Sequence, residues 1–270
     1  MNDPVLYLKQ DKIGKTGSKD IIQKYFHLVN QNESEEVTII DIGCGPGNVT
    51  HDTLMPLFKN PIRKVVGIDV TEKTIKFANA TYGNEKLSFE VLNIGNVVPE
   101  KYISFFDYVF SFSALQWIRD QRQLFLNINK IMKPNGQMLF SFVAQTILYD
   151  IFQSVWRRPE YAPYITDFYL AQSIFQKSKE PVKEFRAILE NAGFEISMIK
   201  LEEINAKNRS LIDFKEFFAS LNPYYNKMPD HLKENFMLHH LEQVQRDAEV
   251  EGPNNYYMKF NMFVVYAKKK

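Results

Sequence analysis

Three observations predict an α/β fold built on a doubly wound, mainly parallel sheet of seven strands with a helical lid from two insertions. Short, nearly continuous apolar segments alternate with amphipathic ones across residues 1–145, the first such segment runs into a glycine-rich loop, and the second ends in aspartate. With 270 residues, 45% of them hydrophobic and 24% charged, the chain is long enough to bury a large core without covalent staples. The formal net charge of +1 provides no clustered excess of cations, so no nucleic-acid partner is expected. One cysteine, Cys44, excludes an intrachain disulfide and a cysteine-based zinc site and suits the cytosol. The sequence near Met1 lacks a basic segment followed by a long apolar run, and no later stretch approaches the ~18 residues of a spanning helix, so neither secretion nor membrane insertion is expected.

The elements follow in order. Ser18 is expected to cap a helix that carries Ile21, Ile22, Tyr25, Phe26 and Val29 on one face. Residues 37–42 form a β-branched strand, and residues 48–58 the helix after it. The pair repeats as a strand over 64–70 and a helix over 71–82 with Thr71 at its N-cap. Further strands are predicted over 87–92, 106–112 and 137–143, the last after the turn Lys133-Pro-Asn-Gly136. Beyond Val143 the rhythm breaks into an aromatic-rich stretch. A helix over 181–191 stopped by Gly193 and strands over 195–201 and 259–267 then close the core. This divides the chain into a core over 1–145, closing elements over 181–210 and 251–270, and a substrate lid over 146–180 and 211–250.

Gly43, Gly45 and Gly47 stand between the first strand and its helix, where missing β-carbons let a ligand approach and let N–H groups face it. A dinucleotide fingerprint requires a glycine three positions after the second, and Asn48 occupies that place. The spacing is G-x-G-x-G instead. Asp69, ending the second strand, can accept from both hydroxyls of a ribose.

The segments Asp41-Ile-Gly-Cys-Gly-Pro-Gly47, Gly67-Ile-Asp69 and Asn93-Ile94 resemble the successive cofactor motifs of class I S-adenosylmethionine-dependent methyltransferases, whose sheet is Rossmann-like. The resemblance implies that the glycine loop borders the methionyl part, that Asp69 holds the ribose, and that Asn93 addresses the adenine amine. Many members have aspartate at that last position; an amide still accepts. The further cofactor contacts it implies are Tyr7, Asp41, Gly43, Cys44, Gly45, Val70, Ile94 and Ser111.

A narrower resemblance rests on Phe110-Ser-Phe-Ser-Ala-Leu-Gln-Trp-Ile-Arg-Asp-Gln121, Leu6-Tyr7, Ala219-Ser-Leu-Asn-Pro223 and Val264-Val-Tyr-Ala-Lys268. These are similar to the insect juvenile hormone acid methyltransferase family, which esterifies juvenile hormone acid or farnesoic acid. A carboxylic acid is ionised at neutral pH and attacks the sulfonium methyl without a general base. The family orients the carboxylate with a tryptophan, matched by Trp117, and an N-terminal glutamine, which falls on Gly14; the nearby amide is Gln10. Gln116 stands beside Trp117, facing either cofactor or carboxylate. Cavity walls are expected from Phe112, Val143, Ile147, Tyr149, Trp156 and Tyr224, although packing alone would also explain these aromatics. The five histidines form no metal-ligand pattern, so no metal is expected. The partner is a small carboxylic acid, with another acid, an amine, a phenol or a non-catalytic ligand-binding role as alternatives; the chain is expected to be a monomer or homodimer.

Overall fold

The computed structural model describes residues 17–168, 170, 172–250 and 256–270, together with Pro4 and Leu8. In chain order the elements are α1 (Ser18–Tyr25), β1 (Val37–Ile42), β2 (Ile62–Asp69), α2 (Glu72–Tyr82), β3 (Leu87–Val91), β4 (Phe106–Phe112), α3 (Gln121–Ile131) and β5 (Met132–Thr146). They continue as α4 (Ile147–Trp156), α5 (Pro181–Asn191), β6 (Phe194–Arg209), α6 (Leu211–Leu221), α7 (Asp230–Asp247), β7 (Glu249–Val250) and β8 (Tyr256–Lys269). The strands form one sheet in the order β3-β2-β1-β4-β5-β8-β6, with the two-residue β7 as an addition that pairs with β8. The first five run parallel, and β8 is antiparallel to both β5 and β6.

Strand alternation explains why both faces are covered. Along β1, Val37 and Ile39 enter one apolar cluster with α1 and α2, whereas Ile40 and Ile42 enter a second with α3 and α5. Winding reverses at β1, which has β2 on one side and β4 on the other, so a crevice opens at the carboxyl ends of these strands. At the opposite end, Thr38 anchors the register: its N–H and hydroxyl both donate to the Asp107 carboxylate, at 2.8 and 2.7 Å.

Several local expectations are corrected. Ser18 does not cap α1 but is its first residue, after Gly17 at φ 108°, and the apolar face continues through a 3₁₀ turn over Phe26–Leu28. Thr71 occupies the N-cap position of α2 but makes no side-chain cap; its N–H donates to Asp69 Oδ1 at 2.9 Å. The segment after the glycine loop is a π-helical turn, Val49–Leu54, followed by a 3₁₀ turn, Met55–Leu57, rather than an α-helix. Pro56 accounts for part of this, since it lacks an N–H and its ring opposes continuation of α geometry. The Lys133–Gly136 turn sits inside β5 as a bulge between the pairs Phe106↔Met132 and Tyr108↔Gln137, with Asn135 at φ 62°.

Strands β6 and β8 are longer than their apolar runs because they pair with each other from Phe194↔Lys269 to Arg209↔Tyr256. Against their far end packs a third apolar cluster, with Phe152, Trp156, Phe218, Tyr224, Phe236 and Val244 among its members. At its centre His240 is fully buried, its Nδ1 2.7 Å from the Phe236 carbonyl and its Nε2 3.2 Å from Asn222. Burial holds this imidazole well below its ordinary pKa, at about 4, so it stays neutral among the surrounding rings. Among the described residues, no helix is long and apolar enough to cross a membrane.

Candidate active site

The crevice is a continuous cavity of about 580 Å³ that runs from the glycine loop to the third apolar cluster. Its polar end begins at Gly43 and Gly45, with Gly47 behind them in the loop, and the φ values of 74°, 54° and 88° suit glycine. Two of these glycines are also required by packing. A β-carbon on Gly43 would lie 2.1 Å from Ala114 Cβ, and one on Gly47 would lie 2.7 Å from the Phe89 ring.

The loop's N–H groups are less free than the glycine spacing suggests. Gly43 and Cys44 both donate to the Ile68 carbonyl, at 2.7 and 3.0 Å, and Gly47 donates to Cys44 at 3.1 Å. With these donors engaged, the loop is a poor phosphate cradle, which agrees with the absence of a dinucleotide fingerprint. What it offers instead is carboxylate. Asp41 is 2% exposed, lines the cavity and accepts from the Thr50 hydroxyl at 2.5 Å. Asp69 lines it too; Thr71 N–H engages Oδ1, and among the described residues Oδ2 accepts no hydrogen bond, which leaves it to a diol. Asn93 follows, its Oδ1 already accepting Gly95 N–H at 2.9 Å with one lone pair remaining. This set fits an adenosine carrying an amino-acid ammonium.

Burial pushes the Asp41 carboxyl up to about 7, against the lowering effect of the Thr50 hydroxyl and with a smaller raising effect from the charge on Asp69. An ammonium seated against Asp41 prefers the ionised form, so binding below pH 7 must expel a proton. Affinity for S-adenosylhomocysteine is therefore expected to rise about tenfold from pH 6 to pH 8, with proton release at the lower value. Calorimetry in buffers of different ionisation enthalpy checks this; a flat profile contradicts it.

At the end of β4 the chain makes a tight turn against the loop. Ser113 is held at φ 58°, Ala114 packs on Gly43, and a 3₁₀ turn over Leu115–Trp117 follows. The Gln116 amide N–H donates to the Ser113 carbonyl at 2.7 Å, leaving Oε1 buried without a partner. Gln116 thus braces the turn, keeping Oε1 as an acceptor and the second Nε2 hydrogen as a donor. Trp117 lines the cavity, and its indole N–H has no partner among the described residues.

Of the expected cofactor contacts, Asp41, Gly43, Cys44, Gly45, Asp69, Val70, Asn93 and Ile94 line the cavity. Ser111 does not; its hydroxyl donates to the Ile42 carbonyl at 2.7 Å and ties β4 to β1. Tyr7, Gln10 and Gly14 lie outside the described residues. Of the expected apolar walls, Phe112, Val143 and Tyr149 line the cavity, whereas Ile147, Trp156 and Tyr224 do not. Trp156 lies seven residues beyond Tyr149, about 10 Å farther along α4, and meets Tyr224 edge-on at 4.9 Å. Tyr224 in turn bonds the backbone of Asp167, its hydroxyl accepting from N–H and donating to C=O, each at 2.8 Å. Ile147 packs on the outside of the same cluster.

Walls that sequence reasoning missed are Phe214, Phe217 and Leu221, one stripe of α6, and Met258, Phe260 and Met262, alternate residues of β8. Both follow the helix and strand periodicities that could have revealed them. The described lining contains no histidine, lysine or arginine, and burial holds the Cys44 thiol and Tyr149 phenol well above their ordinary ranges, hence neutral.

A methyltransferase-domain family model matches residues 33–193, which spans the glycine loop, Asp69, Asn93 and Trp117. The chain belongs to this family, and its fold and loop define it as a class I S-adenosylmethionine-dependent methyltransferase. Among curated relatives it is 27% identical to juvenile hormone acid O-methyltransferase of Bombyx mori, over all of this chain and 98% of that one. It is likewise 27% identical to the Drosophila melanogaster protein of that name, over all of this chain and 93% of that one. The fold is shared with phosphoethanolamine N-methyltransferase 2 of Haemonchus contortus in complex with phosphomonomethylethanolamine and S-adenosylhomocysteine. That match has TM-score 0.56 and 16% identity, covering 99% of this chain and 56% of that one.

Proposed function

We propose that this methyltransferase acts on a carboxylate, converting an apolar acid of sesquiterpenoid type, such as farnesoic acid or juvenile hormone acid, to its methyl ester. One observation carries the reading. The carboxylate-bearing cofactor end opens directly into an apolar end walled by Phe112, Leu148, Phe217 and Met262, and the described lining supplies no basic side chain at the junction. An amine or phenol acceptor needs a base to remove its proton; a carboxylate, with pKa near 4, arrives ionised. The full-length likeness to two juvenile hormone acid O-methyltransferases supports the same choice.

S-adenosylmethionine, when bound, supplies the electrophilic methyl group. Asp69 would hold the ribose diol, Asn93 would meet the adenine amine, and Asp41 would face the ammonium of the methionyl part. Trp117 would donate its indole N–H to the acceptor carboxylate, and the apolar walls would align the chain and exclude water. The segments 146–180 and 211–250 would form the lid over this acceptor.

Trp117→Phe tests the arrangement. Turnover of farnesoic acid should fall about 10- to 100-fold, with affinity for S-adenosylhomocysteine held within about twofold. Wild-type turnover in the variant removes Trp117 from the site. A wild-type enzyme that methylates amines or phenols in preference to apolar acids overturns the acceptor class.

A further inference from the structure

We infer that Ser113 Oγ and Tyr149 Oη are hydroxyl donors that, together with Trp117, bind the acceptor's carboxylate at the end of β4. The inference rests on the carboxyl-methylating reading and identifies what holds the acid where resemblance expects a glutamine and the sequence has Gly14.

Three geometric facts carry it. First, both residues line the cavity, and Ser113 belongs to the turn that packs on Gly43, so it stands where the cofactor end meets the apolar end. Second, both hydroxyls have donor capacity to offer. Ser113 engages its backbone N–H with Ser141 C=O at 2.8 Å and its carbonyl with Gln116, while its hydroxyl has no partner among the described residues. Among the described residues the Tyr149 hydroxyl reaches only the Val143 carbonyl at 3.5 Å, beyond the usual 2.5–3.0 Å of an O–H···O bond. Third, the two stand at successive positions along the same edge of β5. Residues 141 and 143 are two apart on β5, so their carbonyls point to the same side, toward β4. The phenol therefore lies within 3.5 Å of a carbonyl that stands about 6.6 Å along β5 from the one Ser113 engages.

Backbone strain agrees with this placement. Three non-glycine residues among those described have positive φ, and Ser113 is the one that lines the cavity. Such conformations persist where the surroundings fix them and are enriched at working sites. Here Ala114 on Gly43 and the Gln116 brace fix the turn. Burial keeps the Tyr149 phenol protonated through neutral pH, so it acts as a donor and not as a base.

The test compares the full-length wild type with Ser113→Ala, Ser113→Gly and Tyr149→Phe. It measures kcat/KM for farnesoic acid, and affinity for S-adenosylhomocysteine and, in its presence, for farnesol, which has the same chain without the carboxylate. Each variant should lose about 10- to 100-fold in kcat/KM, with both affinities within about twofold of wild type. Ser113→Gly relieves the left-handed strain and should melt no lower than wild type while losing as much activity as Ser113→Ala, which separates function from folding. Retention of wild-type kcat/KM in Ser113→Ala and Tyr149→Phe overturns the assignment alone. A loss of cofactor affinity equal to the loss of kcat/KM also overturns it, by placing the hydroxyls on the cofactor. A wild type that esterifies no apolar acid sinks this assignment and the acceptor reading together.

Discussion

Gly43→Ala is expected to be the most damaging single methyl group that can be added near the site. The new β-carbon would stand 2.1 Å from Ala114 Cβ, and the backbone there is at φ 74°. The left-handed conformation costs an alanine about 1–2 kcal/mol, and forced overpacking adds about 1–3 kcal/mol. A total of about 2–5 kcal/mol in a chain of this size corresponds to a melting temperature lower by about 5–15 °C. Because the contact joins the loop to the strand-four turn, Trp117 and Ser113 shift with it, so turnover should fall further than stability alone explains. Thermal melting and calorimetry with S-adenosylhomocysteine check both parts. A variant that melts within about 2 °C of wild type and binds normally contradicts the packing account.

Asp69→Ala is expected to weaken S-adenosylhomocysteine binding by about 1.5–3 kcal/mol, roughly 10- to 150-fold, the range for a hydrogen bond to a charged group. Alanine also removes the acceptor for Thr71 N–H at the start of α2. Asp69→Asn separates the two effects. Its carbonyl can keep the Thr71 bond, while its NH₂ presents donors to a diol that needs an acceptor, so binding should fall nearly as far with the melting temperature preserved. Unchanged affinity in both variants takes Asp69 out of the cofactor site.

The sheet and the glycine-loop end of the cavity were readable in the sequence because each rests on a local signal. β-branched runs mark β1 and β2, the glycines mark the turn, and Asp69 marks the strand end that meets it. What was not readable depends on contacts distant in sequence. The loop N–H groups are less free than the glycine spacing implies, since Ile68, on a neighbouring strand, takes two of them. Trp156, Tyr224, Phe214 and Phe217 are equally aromatic and all pack in the third cluster, yet only the last two also line the cavity. Composition cannot distinguish a wall from a filled core, because both bury the same chemistry. Gln116 illustrates the same limit on the polar side. Its role follows from which of its two atoms the Ser113 carbonyl engages, and no spacing rule reports that.

The central claim is that an already ionised carboxylate takes the methyl group in a cavity that supplies donors and apolar walls, with no histidine or lysine in its described lining and its two aspartates, Asp41 and Asp69, given to the cofactor. The most direct measurement is transfer from methyl-labelled S-adenosylmethionine to farnesoic acid, followed by product mass from pH 6 to pH 9 with both substrates saturating. The account predicts label in the methyl ester and a kcat that is flat across that range, with any loss near pH 6 confined to cofactor affinity through Asp41. Failure to label the ester, or a kcat that rises with an apparent pKa inside the range, would contradict it.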